Sequence, residues 1–352
     1  MGSVTEKLRN IKKITDILKS MSAEYVKELV ITLSQKSDYR YSLDGLMTSE
    51  RFADGRVCPY CKATHIVRNG HRKSDGVQRY VCRGCGKSFV ATSNSIVSGT
   101  DKDYEVWRKY VECMMDGLSI RRAAEKCGIH RNTAFAWRHK ILDALQEMQD
   151  SVVLTGIVEA DEKYVPISYK GNHKNSRTFV MPRAARKHGH KIKKLGLTFD
   201  YACIPCAVNR KGESYAKVGK AGRVGYACLE NALGAHIQRG VTLCTDREHA
   251  YKRLSRTFGY DLVQVGTQEV RKGIYHIQHI NSYHSLLESF LYQFRGVATK
   301  YLNNYLVWHN FVDWSRETYR EKCRVMLTYC ITRNMTVRCR DISSRKPTPF
   351  LA

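Results

Sequence analysis

Residues 156–162 read Gly-Ile-Val-Glu-Ala-Asp-Glu, and residues 241–246 read Val-Thr-Leu-Cys-Thr-Asp. Each stretch is a strand-like apolar run that leads into an acidic residue. The two-residue period of a strand puts Ile157, Glu159 and Asp161 on one face of the first run. Further runs of this kind alternate with helical segments through the same half of the chain. This alternation predicts an α/β domain.

Acidic residues close both strands, Asp161 in the first and Asp246 in the second. A carboxylate at the end of a buried strand needs a partner, because its desolvation costs free energy. One interpretation is structural: Asp246 caps a helix and Asp161 pairs with an arginine. The other is a hard-cation site, since Mg²⁺ takes oxygen ligands and leaves positions free for phosphate oxygens. Two such ions, about 3.5–4 Å apart, stabilise both the attacking and the leaving oxygen of an in-line displacement.

A helix-like segment at residues 276–291 offers a third ligand. Asn281, His284 and Glu288 are spaced three and seven apart and therefore share one helix face. The other face can pack on the strands through its apolar residues, which are Ile280, Tyr283, Leu287 and Leu291.

The chain has 352 residues and a formal net charge of +26, from 59 Lys and Arg against 33 Asp and Glu. Such an excess favours a polyanionic partner, and we expect DNA; the alternative is an evenly basic surface on some other enzyme. No apolar run reaches the roughly 18 residues of a membrane helix, and no signal-peptide stretch opens the chain. We therefore expect a cytoplasmic, nucleoid-associated protein without a membrane partner.

Two cysteine pairs form a pattern typical of a zinc site, Cys58-Pro-Tyr-Cys61 and Cys82-Arg-Gly-Cys85. A gap of two residues lets both thiolates of a pair reach one tetrahedral ion. We predict one structural zinc per chain in a basic ribbon that contacts DNA; a staple without DNA contact is the alternative. Cys203 and Cys206 have no second pair nearby and are predicted to be buried thiols.

A helix-turn-helix is predicted between Leu118 and Leu142, with Ala124 at the helix contact and Gly128 in the turn. Helical hairpins in proteins that do not bind DNA share this pattern. The second helix is predicted to expose side chains that can pair with base edges, namely Arg131, Asn132, Arg138 and His139.

Residues 163–198 contain no acidic residue, and their lysines include Lys191, Lys193 and Lys194. Such a run is commonly a solvated loop, but beside a phosphodiester site it would neutralise backbone phosphates.

Together these features predict a multidomain α+β protein. Its segments are a helical arm (1–50), a zinc ribbon (56–92), a helix-turn-helix domain (101–150), an α/β catalytic domain (151–312), and a C-terminal helical extension and tail (313–352).

The chain resembles insertion-sequence transposases of the DDE class, in the ISXO-like branch with an N-terminal zinc ribbon and helix-turn-helix (the family numbered fifteen-ninety-five). The likeness covers most of residues 56–310. Besides the cysteine pairs, it rests on Ser119-Ile-Arg-Arg-Ala-Ala124, Glu159-Ala-Asp-Glu162, Thr245-Asp246 and His279-Ile-Asn-Ser-Tyr-His284, followed by Phe294-Arg-Gly.

This resemblance implies an RNase-H-like core that cuts and rejoins DNA with two Mg²⁺ or Mn²⁺ ions. It assigns catalytic acids to Asp161 and Asp246 and the third position to Asn281, and it implies a homo-oligomer on paired element ends. Similar members carry Lys where this chain has Glu288, so Glu288 is either a further anionic ligand or a change that weakens end binding.

Two alternatives stay open. A decayed transposase would keep the zinc ribbon and the helix-turn-helix as a DNA-binding protein without catalysis. A structure-specific nuclease with a similar core would cut branched DNA without joining it.

Overall fold

The structure is a computed structural model that describes residues 16–17, 19–26, 43–172, 179–182, 198–266, 269, 271–314, 318–348 and 350. Most of the predicted arm at residues 1–50 lies outside this part of the chain. The predicted phosphate contacts Lys191, Lys193 and Lys194 lie outside it as well. No helix in the described ranges is long and apolar enough to cross a membrane.

The cysteine-rich segment folds into a small antiparallel sheet of three strands, β1 (Ile66–His71), β2 (Gln78–Cys82) and β3 (Ser88–Val90). Its apolar centre is small: Tyr80 stacks on Phe89 with ring centroids 5.6 Å apart, and Phe52 meets Tyr80 edge-on. A core of this size cannot stabilise the sheet alone, so the segment depends on a cross-link between its turns.

Four helices precede the second half of the chain: α1 (Leu43–Arg51), α2 (Tyr104–Met115), α3 (Ile120–Cys127) and α4 (Arg131–Asp150). The predicted DNA-binding hairpin consists of α3 and α4. The Ser119 hydroxyl caps α3, and Gly128 ends it in the left-handed conformation at φ 63°. A turn of three residues then leads into α4, as in helix-turn-helix hairpins. The contact between the two helices is buried: Ala124, the predicted contact residue, is 5% exposed, and Ala123 and Ala134 are fully covered.

The second half contains a five-stranded sheet, as the alternation of strand and helix predicts. Its strands are β4 (Ile157–Pro166), β5 (Tyr201–Asn209), β6 (Ser214–Ala216), β7 (Thr242–Thr245) and β8 (Asp261–Gln264). Their order is β6-β5-β4-β7-β8; β4, β5 and β6 run antiparallel, whereas β7 is parallel to β4 and to β8. Cys203 and Cys206 lie fully buried in β5, which confirms that they are core thiols.

Helices cover both faces of this sheet. One face packs on α5 (Tyr226–Leu233) and α6 (His249–Phe258), and the other on α7 (Gln278–Tyr292). The apolar side of α7 is buried as predicted, through Ile280, Tyr283 and Leu287.

The C-terminal helices join the two halves. After a 3₁₀ turn at Thr299–Tyr301 come α8 (Leu302–Trp314), α9 (Tyr319–Thr332) and α10 (Cys339–Ser343). Leu306 of α8 packs on the sheet, whereas Trp308 packs on the helix-turn-helix core. The predicted domain boundary at residue 312 therefore falls inside a helix that belongs to both cores.

Two predicted base contacts are corrected by this packing, because Arg138 and His139 are each only 1% exposed. The Arg138 guanidinium donates to the Leu118 carbonyl at 2.7 Å and lies 5.0 Å from the Trp308 ring. The His139 ring packs 4.3 Å from that of Tyr301. Residues from the far end of the chain cover this side of α4, so neither side chain can reach DNA.

An ion pair reinforces the same junction. Nη2 of Arg345, in the C-terminal tail, donates to both carboxylate oxygens of Asp143 in α4 at 2.6 and 2.7 Å, and Nη1 donates to the Asn304 side-chain oxygen in α8. Both charged side chains are about four-fifths buried. Three distant segments are thus tied together at one carboxylate.

We expect Arg345→Ala to lower the free energy of unfolding by about 3 kcal/mol, because it leaves the Asp143 carboxylate buried without its partner. Urea denaturation of the purified chain measures this change. The control is Arg340→Ala, which removes an exposed pair with Asp341 and should cost less than about 1 kcal/mol. Equal losses in both variants would contradict the role given to Arg345.

Candidate catalytic and metal sites

The register of two parallel strands brings the predicted acids together. Glu159 of β4 lies opposite Cys244 of β7, so two residues further on Asp161 and Asp246 reach the same level of the sheet. The carboxyl ends of parallel neighbours meet at one edge, where ligands bind in open α/β sheets. Asp246 lies just beyond its strand and accepts from the Glu248 backbone N–H at 3.0 Å. Two acids that are 85 positions apart in the sequence are therefore neighbours in space.

The electrostatics of this edge are those of crowded acids. Burial, with a further contribution from the Asp246 charge, raises the pKa of Asp161 to about 6, although the Glu162 backbone N–H donates to it at 2.8 Å. Burial likewise raises the pKa of Glu162 to about 8, against the effect of a hydrogen bond from the Tyr251 hydroxyl. The charges of Asp161, Asp246 and Glu248 add to this rise. Concentrated negative potential of this kind attracts cations.

Sequence reasoning left Glu162 and Glu248 without a role. The available signal was their position, since each lies within two residues of a predicted catalytic acid. Glu162 points to the opposite face of β4 from Asp161, however, and reaches Tyr251 of α6. Only the packing of α6 on that face reveals its environment.

Glu159 ties helix α7 to strand β4. Its carboxylate is 1% exposed and accepts from the backbone N–H groups of His279 at 2.8 Å and of Ile280 at 3.1 Å. The residue that precedes α7, Ile277, makes no side-chain cap, so a carboxylate from another element satisfies the free N–H groups of the first turn. The Arg210 guanidinium lies 3.1 Å from the same carboxylate and balances its charge. This contact sets the height of α7 beside Asp161.

The three polar residues of α7 differ in their surroundings. His284 is 9% exposed, and its Nδ1 lies 3.7 Å from Oδ2 of Asp161. Asn281, one turn earlier, is exposed, and Glu288, one turn later, forms an ion pair with Lys163 at 2.6 Å. The sequence predicted only that His284 lies on the same helix face as Asn281 and Glu288. The structure shows that its imidazole is the α7 group that faces Asp161.

Burial and the nearby Lys163 charge lower the pKa of His284 to about 4, so its imidazole is neutral at physiological pH. Its Nε2 is buried and makes no hydrogen bond within the described residues. A neutral imidazole next to a carboxylate can accept a proton or bind a metal ion.

Two groups of three or more metal-binding side chains have all their ligand atoms within 4.8 Å of one another in the described part of the chain. One is formed by the four ribbon cysteines and the other by Glu159, His276 and His279. The second group already holds a cation, because an Arg210 nitrogen lies 2.6 Å from Nε2 of His276. It therefore suits a helix anchor better than a metal ion. Asp161 and Asp246 do not form such a compact group with a third side chain.

The ribbon cysteines fit zinc in number, chemistry and spacing. Sγ of Cys58 lies 3.7 Å from that of Cys85, and Sγ of Cys61 lies 3.5 Å from that of Cys82. Tetrahedral ligands with bonds of about 2.3 Å stand about 3.8 Å apart, so a zinc ion fits among these thiols with little movement. Each close contact joins a cysteine of the first pair to a cysteine of the second. A zinc ion bound by all four thiolates would therefore supply the cross-link that the small sheet needs.

At the start of α4, Arg131 and Asn132 are exposed. The N-terminal residues of a recognition helix are those that contact base edges in helix-turn-helix proteins. These two of the four predicted contacts are therefore compatible with DNA binding.

Comparison with known proteins identifies the second half of the chain. Residues 153–311 match the family model of the ISXO2-like transposase domain. This segment is therefore similar to the transposase domains of that family. A relative from Halobacterium salinarum, described as an uncharacterised protein in transposable element ISH50, is 26% identical over 267 residues, which are 74% of this chain and 86% of that protein. The ISXO2-like domain begins just after α4 and ends within α8.

Solved structures similar to the chain include two Mos1 complexes. A pre-cleavage Mos1 transpososome is 10% identical, with 65% of this chain and 78% of that chain covered and a TM-score of 0.21. The Mos1 mariner paired-end complex with Mn is 11% identical, with 59% and 79% covered and a TM-score of 0.18. At these TM-scores, no conclusion about this chain rests on either match.

We expect the purified chain to carry one zinc ion and Cys82→Ser to lose it, because three thiolates hold the ion less tightly than four. Elemental analysis of protein prepared without chelator measures the zinc content. Cys339→Ser serves as the control, since Cys339 is an exposed thiol far from the ribbon in sequence. Wild-type protein with no bound zinc would refute the site.

We expect Glu159→Gln and Glu162→Gln to change stability in opposite directions at neutral pH. Glu159→Gln leaves the Arg210 guanidinium without its charge partner and should cost about 3 kcal/mol of unfolding free energy. Hydrogen exchange at the His279 and Ile280 amides should also become faster.

Glu162→Gln should instead leave the chain as stable as the wild type or more so. The pKa of Glu162 is 4.5 in the unfolded chain and about 8 in the folded one. Glu162 therefore contributes to the stability of the fold below pH 4.5, and this contribution is lost as the pH rises towards 8. The variant lacks this loss, so its advantage should grow between these pH values in urea denaturation. An advantage that shrinks over this range would contradict the assignment.

Proposed function

We propose that the chain is a transposase that binds the terminal inverted repeats of an insertion sequence and catalyses metal-dependent DNA strand cleavage and strand transfer. The observation that carries the proposal is the shared level of Asp161 and Asp246 at one sheet edge, inside an ISXO2-like transposase domain. Carboxylates at such an edge can hold divalent cations against a phosphodiester.

The sheet supports an RNase-H-like core. Counted along the chain within this domain, the strand order is 3-2-1-4-5, and only the second strand runs against the others. In RNase-H-like enzymes this arrangement puts the first and fourth strands side by side, and here those strands lead into Asp161 and Asp246.

Asp161 and Asp246 would bind Mg²⁺ or Mn²⁺, and the donor set fits such an ion because carboxylate oxygens are its preferred ligands. When bound, the metal would supply charge stabilisation for the attacking and leaving oxygens. The side chains of α7 complete the site in this proposal. Asn281 is available as the third ligand because its amide is exposed, whereas Glu288 is engaged by Lys163. Neutral His284 would orient the Asp161 carboxylate from the other side.

DNA recognition would fall to the N-terminal modules. Arg131 and Asn132 would read base edges, and the zinc-stabilised sheet would contact backbone phosphates through exposed basic residues such as Arg68 and Arg79. The chain would act as a homo-oligomer on paired element ends.

We expect Asp161→Asn and Asp246→Asn each to reduce strand transfer at least about a hundredfold, since each removes a charge from a metal site worth several kcal/mol in the transition state. The assay joins labelled element ends to plasmid DNA with added Mg²⁺ or Mn²⁺. Asp261→Asn is the control, because this acid is exposed at the start of β8. Equal products from all variants would defeat the proposal.

Other outcomes of this assay identify the alternatives. Cleavage of branched DNA without joining would indicate a structure-specific nuclease. Tight binding of element ends without any metal-dependent product would indicate a DNA-binding protein that has lost catalysis.

A further inference from the structure

A cleft of about 1460 Å³ separates the helix-turn-helix from the catalytic domain. One wall is formed by the end of α2, the start of α3 and the exposed side of α4. The opposite wall comes from residues 170–172 and from the connection between α7 and α8, and the tail at residues 343–347 closes one end. The cleft lies between two modules and belongs to neither the zinc sheet nor the acidic sheet edge.

Charge in this cleft is strongly one-sided. Seven Lys and Arg side chains line it, against one carboxylate among its described lining residues. That carboxylate, Asp116, is itself paired with Lys126 at 3.5 Å. At least three of the seven are engaged in the fold, since Arg138 donates to the Leu118 carbonyl, Lys300 donates to Asn172 and Arg345 pairs with Asp143. Others, such as Arg122 and Arg295, are exposed. The excess of cations over carboxylates in the lining therefore attracts anions.

The Arg295 backbone adds an independent sign of function. It adopts the left-handed conformation at φ 49°, which is uncommon for a residue other than glycine, next to Gly296 at φ 96°. Such a conformation costs free energy and is concentrated at functional sites. Here it presents an exposed guanidinium at the mouth of the cleft.

Aromatic rings alternate with these charges. Phe135, Phe294 and Tyr301 line the cleft and are only partly buried. Beside it, the Tyr292 ring is 83% exposed at the end of α7, in a second pocket of about 740 Å³. A groove that combines cations with accessible aromatic rings is typical of proteins that bind single-stranded nucleic acid, because unpaired bases stack on the rings.

The two cavities adjoin each other. They share Lys170, Gly296 and Val297. The second pocket then reaches Lys163, which lies two residues beyond Asp161 on the same strand and the same side of it. A strand held in the cleft can therefore be directed towards Asp161 along this second pocket, whose lining is mostly apolar apart from Lys170 and the Lys163–Glu288 pair.

The size of the cleft selects an unpaired strand. Its volume exceeds that of ordinary small-molecule pockets, which are roughly 300–1,000 Å³. It is too small to enclose one turn of duplex, which is about 34 Å long and has a major groove about 12 Å wide. We propose that this cleft binds a single strand of DNA that has separated from its partner near the cleavage point. That the bound strand comes from the cleaved DNA rests on the proposed function; that the cleft binds a single strand does not.

Binding can be tested without catalysis, in full-length Asp161→Asn protein without added Mg²⁺ or Mn²⁺. The probes are fluorescent oligo-dT of about 12 nucleotides, within the usual range for single-strand sites, and a duplex of equal length. We expect Arg295→Gln with Lys346→Gln to reduce the slope of log affinity against log salt for oligo-dT by about 1.4, or about 0.7 for each lost phosphate contact. The double control, Lys252→Gln with Arg256→Gln, neutralises two exposed cations of α6 and should leave that slope unchanged.

Tyr292 tests stacking without risk to the fold, because its ring is 83% exposed. Tyr292→Ala should weaken oligo-dT binding about tenfold, whereas Tyr292→Phe should keep the parent affinity because it retains the ring. An equal loss of duplex binding in these variants would overturn the single-strand assignment. Unchanged oligo-dT binding in all of them would overturn the site itself. Neither result depends on strand transfer. The binding assay therefore tests the cleft, whereas the strand-transfer assay tests the proposed function.

Discussion

A buried carboxylate, that of Glu159, connects the sheet to helix α7, which lies beside the sheet edge where Asp161 and Asp246 meet. It sits two residues before Asp161 on β4 and accepts from two backbone N–H groups in the first turn of α7. Because the same side chain is balanced by Arg210, the anchor carries no uncompensated charge. Removing this contact would free α7 to shift along the sheet, and with it Asn281 and His284. The arrangement of side chains around Asp161 and Asp246 therefore depends on Glu159, which does not itself belong to that acidic edge.

The N-terminal modules depend on the C-terminus in a comparable way. Helices α8 and α9 complete the core of the helix-turn-helix, and the Arg345–Asp143 pair fixes the tail against α4. Helix α4 is thereby held in a fixed position relative to the five-stranded sheet. This packing also creates the basic cleft, since its lining comes from segments as far apart in the sequence as Asp116 and Pro347.

Much of this could be predicted from local pattern. Gly128 marks the turn between α3 and α4, and the spacing of the cysteine pairs marks a cluster of four thiols that could hold zinc, because each signal depends on a few neighbouring residues. The meeting of Asp161 and Asp246 also followed from the sequence, since both close buried strands and parallel strands align their ends. Arg138 and His139 could not be assigned in this way. Their positions on α4 look exposed until helix α8 and Tyr301 cover them.

The sequence by itself predicted the strands that lead into Asp161 and Asp246, the helical hairpin, helix α7 and the cysteine cluster, because periodicity and ligand spacing are short-range properties. Tertiary structure alone decided which polar residue of α7 faces Asp161, that Lys163 engages Glu288, and that Glu162 lies against Tyr251. These outcomes depend on the height and rotation at which separate elements pack. Side-chain burial and charge contacts between distant residues set this height and rotation, and no local sequence pattern encodes such contacts.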